Sequence, residues 1–331
     1  MKNIIACLLI SVFVFSSNAQ TRTRKADTIN APNNYKPLNA KLSPNLQTLL
    51  NSAVSETINQ FSAKGVKAEN VAATLIDLRD SSNPKIANVR GNEKIYPASV
   101  VKMFYMTALF QQIHDGKIKL TAELERGLKD MILVSSNEAT QYILDVLTDT
   151  SSGGEMAQKE FEIWSYKRNA VNRYFTALGY ENINVNQKTF CEDAYGREAQ
   201  FRKYKGENRN MLNTNATARL LAEIVLGKAV NVEKSGLMMN LLKRDPFADT
   251  ADKDDQAHGF TGIALINKNL KSAKLWSKAG WTSKTRHDAA YIETADGLKF
   301  VLVVFTENFA NERDIIPTIA TKVLDGLGKI K

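Results

Sequence analysis

Leu46, Leu49, Leu50, Val54, Ile58 and Phe61 recur at three- and four-residue intervals within residues 43–63, which predicts an amphipathic helix. Residues 71–77 and 85–91 are short apolar runs on either side of the Asp80–Pro84 turn and predict a β-hairpin. The stretch 95–110 differs from both: positions 100, 101, 103, 104, 106, 109 and 110 are apolar and surround Lys102 on nearly every side. A helix that is apolar all round belongs in a core. Helical spacing then returns over 121–134, 140–147, 161–178, 218–226 and 232–242. Asn213 to Thr217 supply capping residues for the fourth of these, and residues 180–210 form a polar, irregular excursion. The last ninety residues change period. Residues 275–280, 288–293 and 299–305 read as strands separated by turns, and 312–327 as a closing helix. Strands at both ends and helices between predict a mixed α/β fold. One sheet is shared by the two termini (43–95 and 260–331), a helical lobe spans 96–259, and a cleft lies between them.

At 331 residues the chain can bury a large core, and its 44 % hydrophobic and 24 % charged residues are ordinary for a globular protein. Residues 1–19 stand apart. Lys2, the apolar run from Ile4 to Phe15 and Ser17-Asn-Ala19 read as a cleavable secretory signal, too short to span a membrane, and no later segment is long enough either. Residues 20–42 are rich in Asn, Thr, Pro and Lys over most of their length and read as a flexible lead-in. Cys7 lies within the signal, so the mature chain keeps Cys191 alone and forms no internal disulfide; export without disulfides points to a periplasm. The net charge of +9, or +8 once Lys2 is removed, is dispersed among acidic residues, with no basic stripe for nucleic acid. Three scattered histidines and one cysteine offer no metal-ligand spacing, and no cofactor is expected.

Candidate chemistry starts at Ser99-Val-Val-Lys102. One helical turn brings i and i+3 side chains to one face. Burial lowers a lysine's pKa, which makes Lys102 a possible base for Ser99. The alternative is an N-cap serine with a snorkelling lysine. A second copy of the pattern, Ser82-Asn-Pro-Lys85, sits in the hairpin turn and carries no such setting. Further along are Ser135-Ser136-Asn137, between two helices, and Lys278-Ala279-Gly280, on a strand. Ser135 and Asn137 could equally cap a helix, and Lys278 could be an exposed strand lysine.

Taken together and in this order, the three motifs resemble the S-x-x-K, S-D-N and K-T-G set of the class A β-lactamases and their penicillin-binding relatives, over roughly residue 43 to the C-terminus. The resemblance implies a three-layer fold with an antiparallel five-stranded sheet flanked by helices, plus an all-helical lobe. It implies that Ser99 is the acylated nucleophile, that Lys102 helps deprotonate it and that Ser135 passes a proton to the leaving nitrogen. Asn137 and Lys278 would bind substrate, Gly280 belongs to the third motif, and the Ser99 and Trp281 N–H groups would form an oxyanion hole. Ser283, Lys284 and Arg286 are either carboxylate-binding groups or a polar turn, and His287 is read as structural. Three departures stand out: Ser136 replaces an aspartate, Ala279 a threonine, and Trp281 is unusually large. The water-activating glutamate of the family would fall in residues 180–209, where Glu192, Glu198 and Glu207 compete and Glu192 is preferred. The expectation is an exported, monomeric serine hydrolase acting on a β-lactam or peptidoglycan-like amide without metal. A penicillin-binding D,D-peptidase-like or other amide/ester hydrolase on the same fold, and a catalytically silent envelope-binding protein, are the competing readings.

Overall fold

The computed structural model describes residues 28–32 and 34–330; the expected signal, residues 1–19, lies outside the described residues. Strands β1 (Lys41–Leu42), β2 (Val71–Asp77), β3 (Lys85–Val89), β4 (Lys243–Arg244), β5 (Lys274–Trp281), β6 (Thr285–Glu293) and β7 (Lys299–Glu307) form one sheet in the order β1-β3-β2-β7-β6-β5-β4. The five long strands are those the sequence predicts, and they pair antiparallel throughout. The five-stranded expectation is nonetheless too small. Two-residue strands extend both edges, β1 parallel to β3 and β4 antiparallel to β5. Two residues cannot show an alternation, so neither edge is visible as a pattern. The second edge also comes from within the stretch assigned to the helical lobe.

The sheet divides the apolar core in two. Along β7, Val301, Val303 and Phe305 face one core, while Phe300, Leu302 and Val304 face the other. All seven residues of β2 are buried, as expected of a strand covered on both faces. One cover is α1 (Pro44–Phe61) with α11 (Ile315–Leu327) and the short α10 (Gly262–Asn267). Ser43 caps α1 by accepting from the Leu46 N–H at 3.4 Å.

The other cover is the helical lobe: α2 (Lys102–His114), α3 (Ala122–Leu133), α4 (Asn137–Thr148), α5 (Gln158–Arg168), α6 (Ala170–Ala177), α7 (Gly196–Arg202), α8 (Thr214–Val225) and α9 (Val232–Leu242). The single helix expected over 161–178 is two, broken at Asn169, and α7 lies inside the stretch read as irregular. Eleven residues of α2 are buried, and a 3₁₀ turn, Ala98–Val101, delivers the chain into it with Ser99.

Residues 28–32 and 34–42, within the expected flexible lead-in, are docked on the rest of the fold. Ile29 is 3 % exposed, and the Tyr35 hydroxyl and Leu38 N–H donate to the buried Glu223 carboxylate at 2.7 and 2.9 Å. Glu223 also accepts from the Tyr180 hydroxyl at 2.7 Å and Arg219 Nε at 2.9 Å. Isolated anchors of this kind carry no periodicity, which is why composition alone reads the segment as loose.

Two consequences are measurable. Glu223→Ala leaves Arg219 and three donors without their acceptor, and should cost about 3–5 kcal/mol in a urea unfolding titration. At Gly280 on β5 an added Cβ would lie 2.6 Å from Ser99 N and 2.8 Å from Val100 N. Gly280→Ala therefore forces β5 away from the Ser99 turn and should cost about 1–3 kcal/mol in the same assay.

Candidate active site

Ser99 is half-buried on its 3₁₀ turn, immediately after Ala98, whose φ of 46° is a left-handed backbone rarely adopted by an L-residue. One turn on, Lys102 is fully buried. Its ammonium reaches across to the α3–α4 corner, where it bonds the Ser135 carbonyl, Ser135 Oγ at 3.2 Å and Asn137 Oδ1 at 2.8 Å. Burial pushes the Lys102 pKa down to about 7, against smaller opposing pulls from Glu138 and Cys191. Lys102 is thus desolvated one turn on from Ser99, with its hydrogen bonds directed at Ser135 and Asn137.

Ser135 occupies the corner between α3 and α4 with φ of 58°. Such a conformation persists only where surroundings hold it. Here the Ser136 N–H bonds the Asp130 carbonyl at 3.0 Å, and Ser136 Oγ accepts from Ala139 N at 3.0 Å as the cap of α4. The residue that replaces an aspartate thus retains a loop-bracing role through a hydroxyl. From the opposite wall, buried Lys278 on β5 donates to Ser135 Oγ at 2.9 Å. Burial first, then the neighbouring Lys102 and Arg244, hold the Lys278 pKa well below its ordinary value. When both amines are protonated they only donate, so Ser135 Oγ accepts from each and its own proton is left for a third partner.

A cavity of about 300 Å³ opens beside this network, lined by Ser99, Ser135, Asn137, Ala279, Gly280 and Trp281 among others. Trp281 stands at its edge, 49 % exposed. Gln256, which the sequence gives no reason to single out, also lines it. Its Oε1 accepts from Lys278 Nζ at 2.8 Å and Ala279 N at 3.1 Å, while its Nε2 donates to the Ile132 and Leu133 carbonyls at 3.0 and 2.9 Å. One amide thereby ties the end of α3 to β5. Asp252, Asp254 and Asp255 complete an acidic wall. Nothing in a loop of mixed charge identifies that wall from sequence.

Other expected residues lie elsewhere. Arg286 is buried against Asp254 at 2.9 Å, the Gly259 carbonyl and the Phe260 ring, and it is absent from the cavity lining. Ser283 and Lys284 are exposed in the β5–β6 turn. His287 accepts from Thr306 N at Nδ1 (3.1 Å), so its Nε2–H donates to the Tyr96 carbonyl at 2.9 Å, and burial lowers its pKa to about 4. That is a neutral, cross-linking histidine.

In the 180–209 segment it is Cys191 that reaches the site, its Sγ accepting from Asn137 Nδ2 at 3.5 Å. Glu192 is exposed and does not line the cavity. Glu198 is buried in an ion cluster, with Arg168 at 2.7 Å, Lys188 at 3.5 Å and Ser152 Oγ at 2.9 Å. Glu207 is exposed, 3.8 Å from Arg209. Among the described residues no group of three or more His, Cys, Asp or Glu side chains could hold a metal ion, and no helix is long and apolar enough to cross a membrane.

The same architecture recurs in solved structures. A β-lactamase from Sphaerobacter thermophilus is 19 % identical over 85 % of this chain and 98 % of its own, with a TM-score of 0.58. A β-lactamase from Chitinophaga pinensis is 17 % identical over 83 % of this chain and 99 % of its own, with a TM-score of 0.56. A point mutant of PBP-A, solved as an acyl-enzyme complex with penicillin G, is 18 % identical over 88 % of this chain and all of its own, with a TM-score of 0.58. These likenesses establish the fold. Curated protein sequences yield no match. The family model of the Beta-lactamase enzyme family, however, covers residues 53–327, and with the three motifs converging on one cavity the chain belongs to that family.

Proposed function

We propose that the protein is an exported serine acyltransferase-type hydrolase in which a β-lactam, or a related peptidoglycan-like amide, acylates Ser99. The observation that carries this reading is Ser135 Oγ suspended between Lys102 and Lys278 on the wall of the Ser99 cavity. In the neutral form, Lys102 accepts the Ser99 proton as Ser99 Oγ attacks the amide carbonyl. Main-chain N–H groups of Ser99 and Trp281 receive the developing oxyanion in this reading. As the C–N bond breaks, Ser135 gives its proton to the leaving nitrogen and is reprotonated from a lysine. The product is an ester on Ser99. Asn137 and Lys278 orient the substrate, Lys278 by its positive potential.

Release of the acyl group needs an activated water. The group of the 180–209 segment that meets Asn137 is the Cys191 thiol, and neither Glu192, Glu198 nor Glu207 lines the cavity. This favours a long-lived acyl-enzyme, the penicillin-binding side of the family, over rapid antibiotic hydrolysis with Glu192 as base. The acyl-enzyme described for the PBP-A mutant is a precedent for such a state on this fold.

Incubation of the mature protein with benzylpenicillin, followed by intact-mass analysis, should show one adduct on Ser99 that persists for many minutes. Ser99→Ala should show none, and Lys102→Ala should slow acylation by about 10²–10⁴. Glu192→Gln should leave the adduct lifetime unchanged. Fast turnover of a chromogenic cephalosporin that Glu192→Gln abolishes would restore Glu192 as the base; no adduct at all would end both enzymatic readings. The pH dependence follows from Lys102, whose pKa is lowered to about 7. Acylation should rise as pH increases through about 7, where the amine loses its proton, and level off above it.

A further inference from the structure

A second cavity, of about 810 Å³, shares no lining residue with the Ser99 cavity. It lies between α5, α6 and the chain from Ile183 to Met211. Asparagine amides dominate it. Asn172 donates to Asn169 Oδ1 at 2.7 Å, Asn184 to Asn208 Oδ1 at 2.8 Å, and Asn186 to Asn169 and Asn208 at 2.9 and 3.1 Å. Two lining groups are left over. Asn186 Oδ1 and Ser165 Oγ have no hydrogen-bond partner, although each residue is only 3 % exposed. A buried polar atom without a partner is destabilising, and its desolvation is recovered only when something polar arrives. Two of them on one cavity wall, contributed by separate parts of the chain, point to a ligand rich in hydroxyl and amide groups.

The remaining lining narrows the class. Side-chain amides present a donor and an acceptor side by side, which matches acylamino groups and neighbouring hydroxyls. Tyr166, exposed and stacked under Arg173 at 3.8 Å, adds an aromatic face suited to the apolar side of a sugar ring. Lys94, Arg173, Lys205 and Arg209 outnumber Glu162 and Glu207 by four to two. That excess favours an acidic ligand. We propose that this cavity binds an N-acylated saccharide carrying a carboxylate, at a site separate from Ser99 and independent of its chemistry.

The test is calorimetry with three probes: the N-acetylglucosaminyl–N-acetylmuramic acid disaccharide, N,N′-diacetylchitobiose, which lacks the carboxylate, and cellobiose, which lacks both carboxylate and acylamino groups. The acidic disaccharide should bind tightest and cellobiose least. Ser165→Ala deletes a buried hydroxyl with no internal partner, so it should melt at or above the wild-type temperature and bind about fivefold more weakly. The exposed pair Lys94→Glu with Lys205→Glu should erase the preference for the acidic disaccharide over diacetylchitobiose. Failure of all three probes to bind overturns the proposal, as does equal binding of cellobiose or affinity untouched by both variants. Benzylpenicillin labelling of Ser99 in the same samples should be unchanged throughout, which separates a failure here from a failure at the catalytic site.

Discussion

Two amines share one hydroxyl. Lys102 from the helical lobe and Lys278 from the sheet both donate to Ser135 Oγ, and both are buried. Two ammonium groups so placed repel each other, and the surrounding core disfavours each separately. The pair therefore holds protons less tightly than either lysine would in water. Much of the nearby structure is explained as support for this contact. The left-handed turn at Ser135, the Ser136 cap, the Gln256 cross-link and the absence of a side chain at Gly280 each fix one of the three motifs relative to the others.

The 180–209 segment shows how a mostly polar loop is held by buried charge as well as by a few apolar anchors, Tyr180, Val185 and Phe201. Arg168, Glu198 and Lys188 are almost completely buried and, with Asp145, exchange hydrogen bonds and ion pairs. Ion clusters of this kind gain little net stability, but removing one member strands the rest. The cluster fixes α7 and the preceding chain against α4 and α5, and so sets where Cys191 meets Asn137.

Sequence spacing discloses the five long strands, most helices and the three motifs, because each depends on periodicity or on a short local pattern. Its errors have a common origin. Gln256 and Asp254 act through partners distant in the chain, Lys278 and Arg286 respectively, and no local pattern announces them. Arg286 reads as a cation available to a substrate; the fold spends it on Asp254 instead. Glu192 is preferred within a stretch that has no repeating pattern, and one residue's difference, Cys191 against Glu192, separates the side chain that reaches Asn137 from one that faces solvent. Ile29, Tyr35 and Leu38 anchor a segment whose composition alone suggests disorder, since three well-placed contacts do not alter an average.

The sheet's midline joins β2 to β7, with Val71 opposite Thr306, 235 positions along the chain (306 − 71). Every motif of the site lies between those two strands in sequence. Contacts of such long range form late and slowly, because a large loop must close before they contribute any stabilisation. Lys278 lies on β5, which packs directly on the Ser99 turn, but β5 joins β2 and β3 in one sheet only through β6 and β7. The relative placement of Ser99 and Lys278 therefore depends on a sheet that closes over most of the chain's length.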